Sequence, residues 1–221
     1  MCSSDLKHGF KRVRDLFGSV PPAPENGKKD WTNLVQRLDD ELRATVVRVD
    51  RLTPTIVEAI VHAPRAARKF EPGQFYRLQN YETDARKVEN TLLMMEGIAL
   101  TGAWVNKEKG LLSLIALEFG ASTRMIGMLK PGERVVVMGP TGTPTEVPEN
   151  STVLLLGGGL GNAVLFSIAK AAKEKNNRVV YFAGYKKAED IFKREEIEMA
   201  TDVVIYSVDA GTPIAPRQIG R

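Results

Sequence analysis

The stretch "TVLLLGGGLGNAVLFSIAKAAKEKN", residues 152–176, decides how the rest of the chain is interpreted. An apolar segment leads through four glycines (Gly157, Gly158, Gly159 and Gly161) into a segment with alanine-rich helical spacing. Glycines at the start of a helix let a phosphate approach backbone N–H groups that have no partner within the helix. The pattern favours a nucleotide site. The alternative is a tightly packed glycine-rich turn that holds no ligand.

The region around this stretch alternates strand-like and helix-like segments. After residues 152–158 and the helix that follows come a second strand, "RVVYFAGY", a helix, "AEDIFKREEIEMA", and a third strand, "DVVIYSVD". Strands that alternate with helices at this spacing form a parallel sheet. We therefore predict a parallel α/β domain over residues 149–217 that is truncated, because too few strands follow to complete it.

The preceding region has the period of two that is typical of β-strands. Six short segments rich in β-branched or aromatic residues predict a small antiparallel β-barrel over residues 41–148, interrupted by one helix at about residues 122–130. Turns such as Glu71-Pro72-Gly73 separate the segments. They are "RATVVRVDRLT", "TIVEAIVHAP", "GQFYRLQNY", "GIALTGAWVN", "LLSLIALEF" and "RVVVMGPTG".

Residues 1–40 read as a helical arm or linker, in which Asp30 can cap a helix that carries Trp31 and Leu34 on one face. Both ends of the chain differ from the patterns beside them. Residues 1–6, "MCSSDL", and 218–221, "QIGR", match a translated sequencing adapter, so we hypothesise that they are not native and that the chain is a fragment.

Composition excludes several classes of protein. The formal charge of +4 is mild and scattered, which argues against nucleic-acid binding, and no apolar run is long enough for a membrane span. Cys2 is the single cysteine, so the chain by itself cannot form a disulfide or a cysteine-ligated metal centre. We expect a cytoplasmic protein without a metal site. His8 and His62 are the only histidines, and neither indicates a Ser-His-Asp arrangement.

Four motifs in order resemble the ferredoxin–NADP reductase superfamily, from about Arg43 to Thr212. Its members join a flavin-binding barrel to a pyridine-nucleotide domain. Within the superfamily, the chain resembles the small flavin–nicotinamide subunit of NADH-dependent ferredoxin:NADP oxidoreductase and the electron-transfer subunit of dihydroorotate dehydrogenase. The order and spacing of the four motifs are specific, whereas any one alone is not. They are "FEPGQFYRLQ", "GASTRMIGMLKPGERVVVMGPTGTP", "LLLGGGLGNAVLFSIAKAA" and "AGYKKAEDIFKREE".

The resemblance implies a role for each motif. Gly120, Ala121, Ser122 and Thr123 match the turn that holds the pyrophosphate of FAD. The nicotinamide loop matches Gly157, Gly158, Gly159, Leu160, Gly161 and Asn162. Thr101 is the one candidate catalytic residue, near the reactive flavin ring through its hydroxyl; an ordinary β-branched strand residue is the alternative.

Two departures from the family weaken the flavin prediction. Relatives carry arginine and proline where this chain has Gly97 and Ala99, and the arginine normally pairs with the flavin phosphate. Arg77 or Arg124 is a candidate replacement. Val164 also replaces a proline after the nicotinamide loop. A flavin-free docking or regulatory module of a larger oxidoreductase is therefore the alternative function.

The resemblance implies hydride transfer between NAD(P)H and FAD, with electrons passed on to a redox partner subunit or domain, for which an iron–sulfur protein is a candidate. Asp209 follows the third strand of the α/β domain, where relatives that prefer NADP(H) place cations. A carboxylate repels a 2′-phosphate and accepts hydrogen bonds from ribose hydroxyls, so we predict NAD(H) in preference to NADP(H). Lys186 and Lys187 are the residues that argue against this preference.

Overall fold

The computed structural model of the protein describes residues 31–34 and 43–214. Residues 31–34 are helical, and the Trp31 side chain is exposed. The rest of the predicted arm, including Asp30, lies outside the described residues. So do residues 1–6 and 218–221, for which a non-native origin stays a hypothesis.

The six strand segments predicted over residues 41–148 close into an antiparallel barrel. The strands around it follow the order β1-β2-β7-β6-β3-β8. The predicted fold class, a barrel followed by a parallel α/β sheet, is confirmed. The barrel strands are β1 (Ala44–Arg51), β2 (Ile56–His62), β3 (Phe75–Asn80), β6 (Ile98–Asn106), β7 (Leu111–Leu117) and β8 (Arg134–Thr141).

Alternating side chains of these strands fill the barrel. On β2, for example, Val57, Ala59 and Val61 point inward, while Ile56 points outward and packs against the α/β part of the molecule. The sharp turns also match the sequence prediction, since Gly73 has a φ of 91° in the left-handed region.

The segments between the barrel strands differ in three respects from the prediction of a single helix. A short helix, α1 (Pro64–Arg68), begins at a proline, a residue well suited to the first helical turn. The predicted helix at about residues 122–130 is α2 (Ala121–Ile126), which ends four residues earlier than predicted and has Gly127 as its C-cap. A small hairpin of β4 (Lys87–Val88) and β5 (Thr91–Leu92) was not predicted, because two-residue strands have no detectable period.

The α/β part contains a three-stranded parallel sheet in the order β11-β10-β9. Its strands are β9 (Thr152–Gly158), β10 (Arg178–Tyr185) and β11 (Val203–Val208), and helix α3 (Asn162–Glu174) connects the first two. These elements follow the predicted alternation. The domain boundaries at residues 41, 148 and 217 stay predictions.

The predicted helix over residues 188–200 is wrong in its first half. A single 3-10 turn, Ala188–Asp190, is followed by an extended Ile191 and by Lys193 in the left-handed region, and α4 (Arg194–Met199) begins only there. Burial of the Phe192 ring, 2% exposed, explains the interruption, because a continuous helix would place that ring differently.

Helix α3 lies between the sheet and the outer face of the barrel. Its residues Ala163, Phe166 and Ala169 belong to the same buried cluster as Ala103 of β6 and Ile115 of β7. Burial therefore extends around most of the helix, and its alanines allow close packing on both sides. Because α3 begins at the glycine motif, this packing fixes that motif relative to the barrel.

The opposite face of the sheet is apolar and exposed. Strands β9, β10 and β11 present side chains that are 36–67% exposed on this face. A contiguous apolar surface of this kind marks a contact region in most soluble proteins. The side chains are Leu154, Leu156, Phe182, Val203 and Ile205.

Candidate functional site

The four glycines lie at the carboxyl end of β9. Gly157 and Gly158 end the strand, Gly159–Gly161 forms a 3-10 turn, and α3 begins at Asn162. Because parallel strands end at the same edge of a sheet, the loops after β10 and β11 share this edge. This edge is the usual ligand-binding position in open α/β sheets.

Gly157 is a packing glycine. A Cβ atom built at Gly157 would collide with the side-chain amide of Asn162 and lie 2.9 Å from Cδ1 of Leu165. Asn162 is fully buried; its Nδ2 donates to the Gly159 carbonyl at 2.9 Å, and its Oδ1 accepts from the Tyr181 hydroxyl at 3.1 Å. The buried amide thus ties the turn to β10.

The other three glycines have open space where a side chain would be. A Cβ atom at Gly158, Gly159 or Gly161 would meet no atom within 4 Å. Gly159 also has a φ of +51°, which disfavours a β-branched residue. The packing and nucleotide interpretations of the motif therefore apply to different glycines: packing explains Gly157, whereas these three leave room for a ligand.

Leu160 and Asn162 differ from these glycines although the sequence groups them together. Leu160 is half-buried and packs against the cluster around α3, and Asn162 has its side chain directed into the protein. We infer that both residues hold the shape of the loop, and that direct contact with a nucleotide would come from backbone N–H groups at the open glycines.

The second predicted phosphate site opens α2. Gly120 is its N-cap, and the first helical hydrogen bond runs from the Arg124 N–H to the Gly120 carbonyl, so the N–H groups of Ala121, Ser122 and Thr123 have no partner within the helix. The Thr123 Oγ1 accepts from the Phe119 and Gly120 N–H groups, both at 3.0 Å. Thr123 therefore holds the turn and is not the residue that faces outward.

Ser122 connects α2 to the segment before β6. Its Oγ accepts a hydrogen bond of 3.2 Å from the Glu96 N–H, which leaves the hydroxyl proton available as a donor. A Cβ atom at Gly120 would meet no atom within 4 Å. Beside it, the Phe119 side chain is 88% exposed, which is unusual for a phenylalanine.

Thr101, on β6, has a buried hydroxyl that lacks a partner. Its Oγ1 is inaccessible to solvent and makes no hydrogen bond with any described residue. The adjacent Gly102 faces the rings of Phe70 and Tyr76 inside the barrel, so Thr101 faces the outer side, where Ala103 packs against α3. Buried polar groups are almost always satisfied, and an exception indicates a missing ligand or a functional role.

Replacement of Thr101 by valine tests whether the Thr101 hydroxyl is unpaired. Because valine has the same shape without the unpaired hydroxyl, we expect Thr101→Val to raise the free energy of unfolding of the cofactor-free protein by about 1 kcal/mol. Urea unfolding measures this change. Thr53→Val is the matched control, since the Thr53 Oγ1 accepts from the Ile56 N–H at 3.0 Å and its loss should be destabilising. A destabilised Thr101→Val protein would contradict the unpaired assignment.

The Arg77 side chain lies close to Gly97. It lies on β3 directly opposite Ala99 of β6, and a Cβ atom at Gly97 would be 4.0 Å from the Arg77 Cδ. The Arg77 side chain is exposed. Arg124 is also exposed, but it lies on α2 next to Glu118, whose pKa is lowered by Arg51 first and by Arg124 to a smaller extent.

Asp209 directly follows β11 at the edge that carries the glycine loop. Its N–H donates to the Tyr185 carbonyl at 3.1 Å, and the next N–H, of Ala210, donates to the Lys186 carbonyl at 3.1 Å. The Asp209 side chain is exposed. These bonds place Asp209 beside the end of β10, so that Asp209 and Lys186 share one corner of the sheet edge.

Two tyrosines on the neighbouring strands, Tyr185 of β10 and Tyr206 of β11, are uncharged. Tyr185 is buried with its hydroxyl unpartnered, and burial raises its pKa well above the ordinary value. Desolvation by burial, with the nearby Glu198 carboxylate, raises the pKa of Tyr206 to about 12. Both phenols are thus neutral at physiological pH and contribute no charge to the site.

Sequence reasoning missed Glu58, the most deeply buried charged residue of the described part of the chain. Glu58 lies in the middle of β2 and is 1% exposed, and Lys193 Nζ lies 2.7 Å from its Oε2. The signal was present, since Glu58 interrupts the apolar segment "IVEAIV". Its partner could not be read from the sequence, because Lys193 is 135 residues further along the chain.

Within residues 31–34 and 43–214, no helix combines the length and apolar character that a membrane crossing requires. Over the same residues, histidine, cysteine, aspartate and glutamate side chains nowhere come together in threes as potential metal ligands.

The closed barrel, the parallel sheet and the glycine loop between them define a class of protein. The predicted resemblance to the ferredoxin–NADP reductase superfamily is confirmed by sequence and structural relatives. No family model matches the sequence.

Three similar proteins illustrate the relationship. An uncharacterized protein of Rickettsia prowazekii is 36% identical over 183 residues, which are 82% of this chain and 24% of that protein. A homolog of the dihydroorotate dehydrogenase B (NAD(+)) electron transfer subunit from Thermotoga maritima is 28% identical over 165 residues, 74% of this chain and 55% of that one. The structure of NADH-dependent reduced ferredoxin-NADP oxidoreductase has a TM-score of 0.67 at 27% identity and covers 77% of this chain and 58% of its own. This chain thus spans only a quarter to about half of these two curated relatives.

Proposed function

We propose that this chain is an electron-transfer module that takes a hydride from a nicotinamide nucleotide to a bound FAD and passes electrons to a further redox partner. The observation that carries the proposal is the buried, unpartnered hydroxyl of Thr101 on the barrel side that faces α3. Because the hydroxyl is closed off from solvent, a ligand on this face would have to displace a neighbouring side chain to supply the missing hydrogen-bond partner. Thr101 is therefore the proposed residue at the reactive ring.

The proposed FAD pyrophosphate site is the start of α2. Gly120 allows close approach, and Ala121, Ser122 and Thr123 offer N–H groups without helical partners. Ser122 adds a hydroxyl donor, while Thr123 keeps the turn in shape. Arg77 is the proposed substitute for the family arginine, because it reaches the position beside Gly97 from the opposite strand.

The proposed nicotinamide-nucleotide site is the open side of the glycine loop. Gly158, Gly159 and Gly161 leave space for a pyrophosphate, and the start of the 13-residue helix α3 provides a partial positive charge. Asp209 at the same edge favours NAD(H). A bound flavin supplies hydride acceptance and electron release, while the chain's own residues bind, orient and exclude water.

A protein partner is part of the proposal. Electron transfer subunits and a ferredoxin-linked oxidoreductase are among the relatives, which supports a redox partner subunit or domain and makes an iron–sulfur protein a candidate. We also propose that the chain is a fragment of a longer enzyme. The exposed apolar face of the sheet supports this, because the remaining layer of an α/β domain would cover Leu154, Leu156 and their neighbours.

Flavin content tests the assignment of α2. Ser122→Asp places a carboxylate where the phosphate is proposed to lie, and we expect the FAD dissociation constant to rise by at least about tenfold through charge repulsion. Ser122→Asn is the matched control, because it has nearly the same shape without the charge. Absorbance at the flavin bands after reconstitution with FAD and gel filtration measures both variants.

The same reconstitution experiment tests Arg77. Arg77→Met should weaken FAD binding more than Arg124→Met, since only Arg77 lies beside Gly97. Equal flavin content in wild type and Ser122→Asp would contradict the site at α2. A wild-type chain that takes up no FAD would instead favour the alternative function, a flavin-free docking or regulatory module, for which the glycine at position 97 is the supporting observation.

A further inference from the structure

The barrel and the α/β part are joined by a buried group of charged and polar side chains, here named the Glu58 cluster: Glu58, Trp104, Ser113 and Lys193. Glu58 Oε1 accepts from Trp104 Nε1 at 3.0 Å and from Ser113 Oγ at 2.5 Å. Lys193 Nζ lies 2.7 Å from Oε2 of the same carboxylate. The first three residues belong to barrel strands, whereas Lys193 immediately precedes α4.

The ion pair within this cluster is desolvated. The Glu58 side chain is 1% exposed and that of Lys193 is 13% exposed. Burial disfavours the charged amine, but interactions with Glu58 and with Glu196, 3.1 Å away, outweigh it, and the pKa of Lys193 is raised above its ordinary value. The amine is therefore charged throughout the neutral pH range.

Lys193 adopts an uncommon backbone conformation to reach Glu58. Its φ is 54° and its ψ is 37°, in the left-handed region that lysine rarely occupies. Such conformations persist where the surrounding contacts determine them, and they are often found at functional positions. The barrel contributes a matching irregularity: the pairing of β6 with β7 shifts register between Gly102 and Trp104, next to the donor to Glu58.

A buried ion pair across an interface adds little to the free energy of folding, but it restricts how the two sides of the interface are placed. Apolar contacts, such as those of Ala103 and Ile115 with α3, tolerate small sliding motions, since their energy depends little on direction. A slide that separated Lys193 from Glu58 would leave a buried carboxylate without its counterion, which is strongly unfavourable. Such a slide is therefore disfavoured.

From this we infer that the Glu58 cluster is a positioning element: it fixes the α/β part against the barrel and so holds the glycine loop in register with Thr101. Both candidate sites depend on this interface, because β6 carries Thr101 as well as Trp104, and α3 starts at the glycine loop. The inference rests on the proposed function in that hydride transfer needs the nicotinamide to be held close to the flavin.

Hydrogen exchange in the cofactor-free, full 221-residue chain tests the positioning role without any activity measurement. In Lys193→Met, the amides of α3 should exchange at least about tenfold faster, while those of β3 inside the barrel stay unchanged. Glu58→Gln should have a smaller effect, because Gln still accepts from Trp104 and Ser113 and Lys193 keeps Glu196. Lys193→Arg should restore most of the protection.

Arg194→Met is the matched control. It removes the neighbouring cation, which pairs with Glu198 of the same helix and lies over the Tyr206 ring of β11, so that both of these contacts are within the α/β part. Unchanged exchange of α3 in both Lys193→Met and Glu58→Gln, or an equal increase in Arg194→Met, would overturn the inference. If Lys193→Met does not fold, the comparison of Glu58→Gln with Arg194→Met decides.

Kinetics then separate this inference from the proposed function. With FAD and NADH, Lys193→Met should lower kcat by at least about tenfold and leave the NADH KM within about twofold, because the loop itself is unaltered. A raised KM with unchanged kcat would overturn the positioning role. A wild type that oxidises no NADH would refute the proposed function, and hydrogen exchange would then decide the role of the cluster in fixing the interface.

Discussion

Replacing Gly161 with valine should raise the dissociation constant for NADH by at least about tenfold and leave the fold intact. Gly161 has a φ of −57° and a ψ of −18°, which any residue adopts, and a Cβ atom there would meet no protein atom within 4 Å. The valine side chain would therefore occupy only the space proposed for the pyrophosphate. Fluorescence titration with NADH measures the affinity, and thermal unfolding checks the fold.

Two other glycines serve as controls for this experiment. Gly159→Val should also block the nucleotide, but with a loss of stability, because valine at a φ of +51° is strained. Gly157→Ala should destabilise the loop by displacing Asn162. All three variants should keep their FAD. If Gly161→Val binds NADH as the wild type does, the loop is not the nucleotide site and the packing interpretation is sufficient.

Coenzyme preference should depend on Asp209. We expect the wild-type enzyme to favour NADH over NADPH in kcat/KM, and Asp209→Arg to shift this ratio toward NADPH by about ten- to a hundredfold. The physical reason is that a carboxylate repels a 2′-phosphate, whereas a guanidinium binds it with two hydrogen bonds. Steady-state assays with both nucleotides on the full-length enzyme measure the ratio.

Asp209→Asn separates repulsion from cation recruitment. It removes the charge at nearly constant shape, so it should produce only part of the shift. Lys186 and Lys187 follow β10 at the same edge. The Lys187 Nζ lies 3.4 Å from Glu189 Oε1 and so already has an acidic neighbour. A wild type that prefers NADPH, with Lys186→Met abolishing that preference, would assign recognition to the lysines and contradict the role of Asp209.

Local sequence patterns were sufficient for the fold class. Two patterns carried this prediction: a period of two over six segments, and the alternation of strands and helices after Pro148. Both follow from the direction in which successive side chains point along a strand or a helix, which is a local property of the backbone. These patterns predicted the closed barrel and the parallel sheet. They failed at residues 188–193, where burial of Phe192 and the pairing of Lys193 with Glu58 override helical spacing.

The candidate site was only partly readable from the sequence. The sequence located the glycine motif and the start of α2, because glycine followed by a helix is a local signal. It could not divide the motif into a packing glycine and three open ones, since that depends on the Asn162 amide. The unpaired state of the Thr101 hydroxyl, and the position of Arg77 beside Gly97, likewise depend on strand pairing.

By itself, the sequence determined the order of elements, the two helix starts suited to phosphate and the sign of the charge at position 209. Each of these follows from residue type and short-range spacing. Tertiary structure alone decided which glycines are open, which hydroxyls are already used and how the two parts of the chain are joined. The reason is that burial and hydrogen bonding at Thr101, Asn162 and Glu58 depend on residues up to 135 positions away in the sequence. A local sequence pattern contains no information about such long-range contacts.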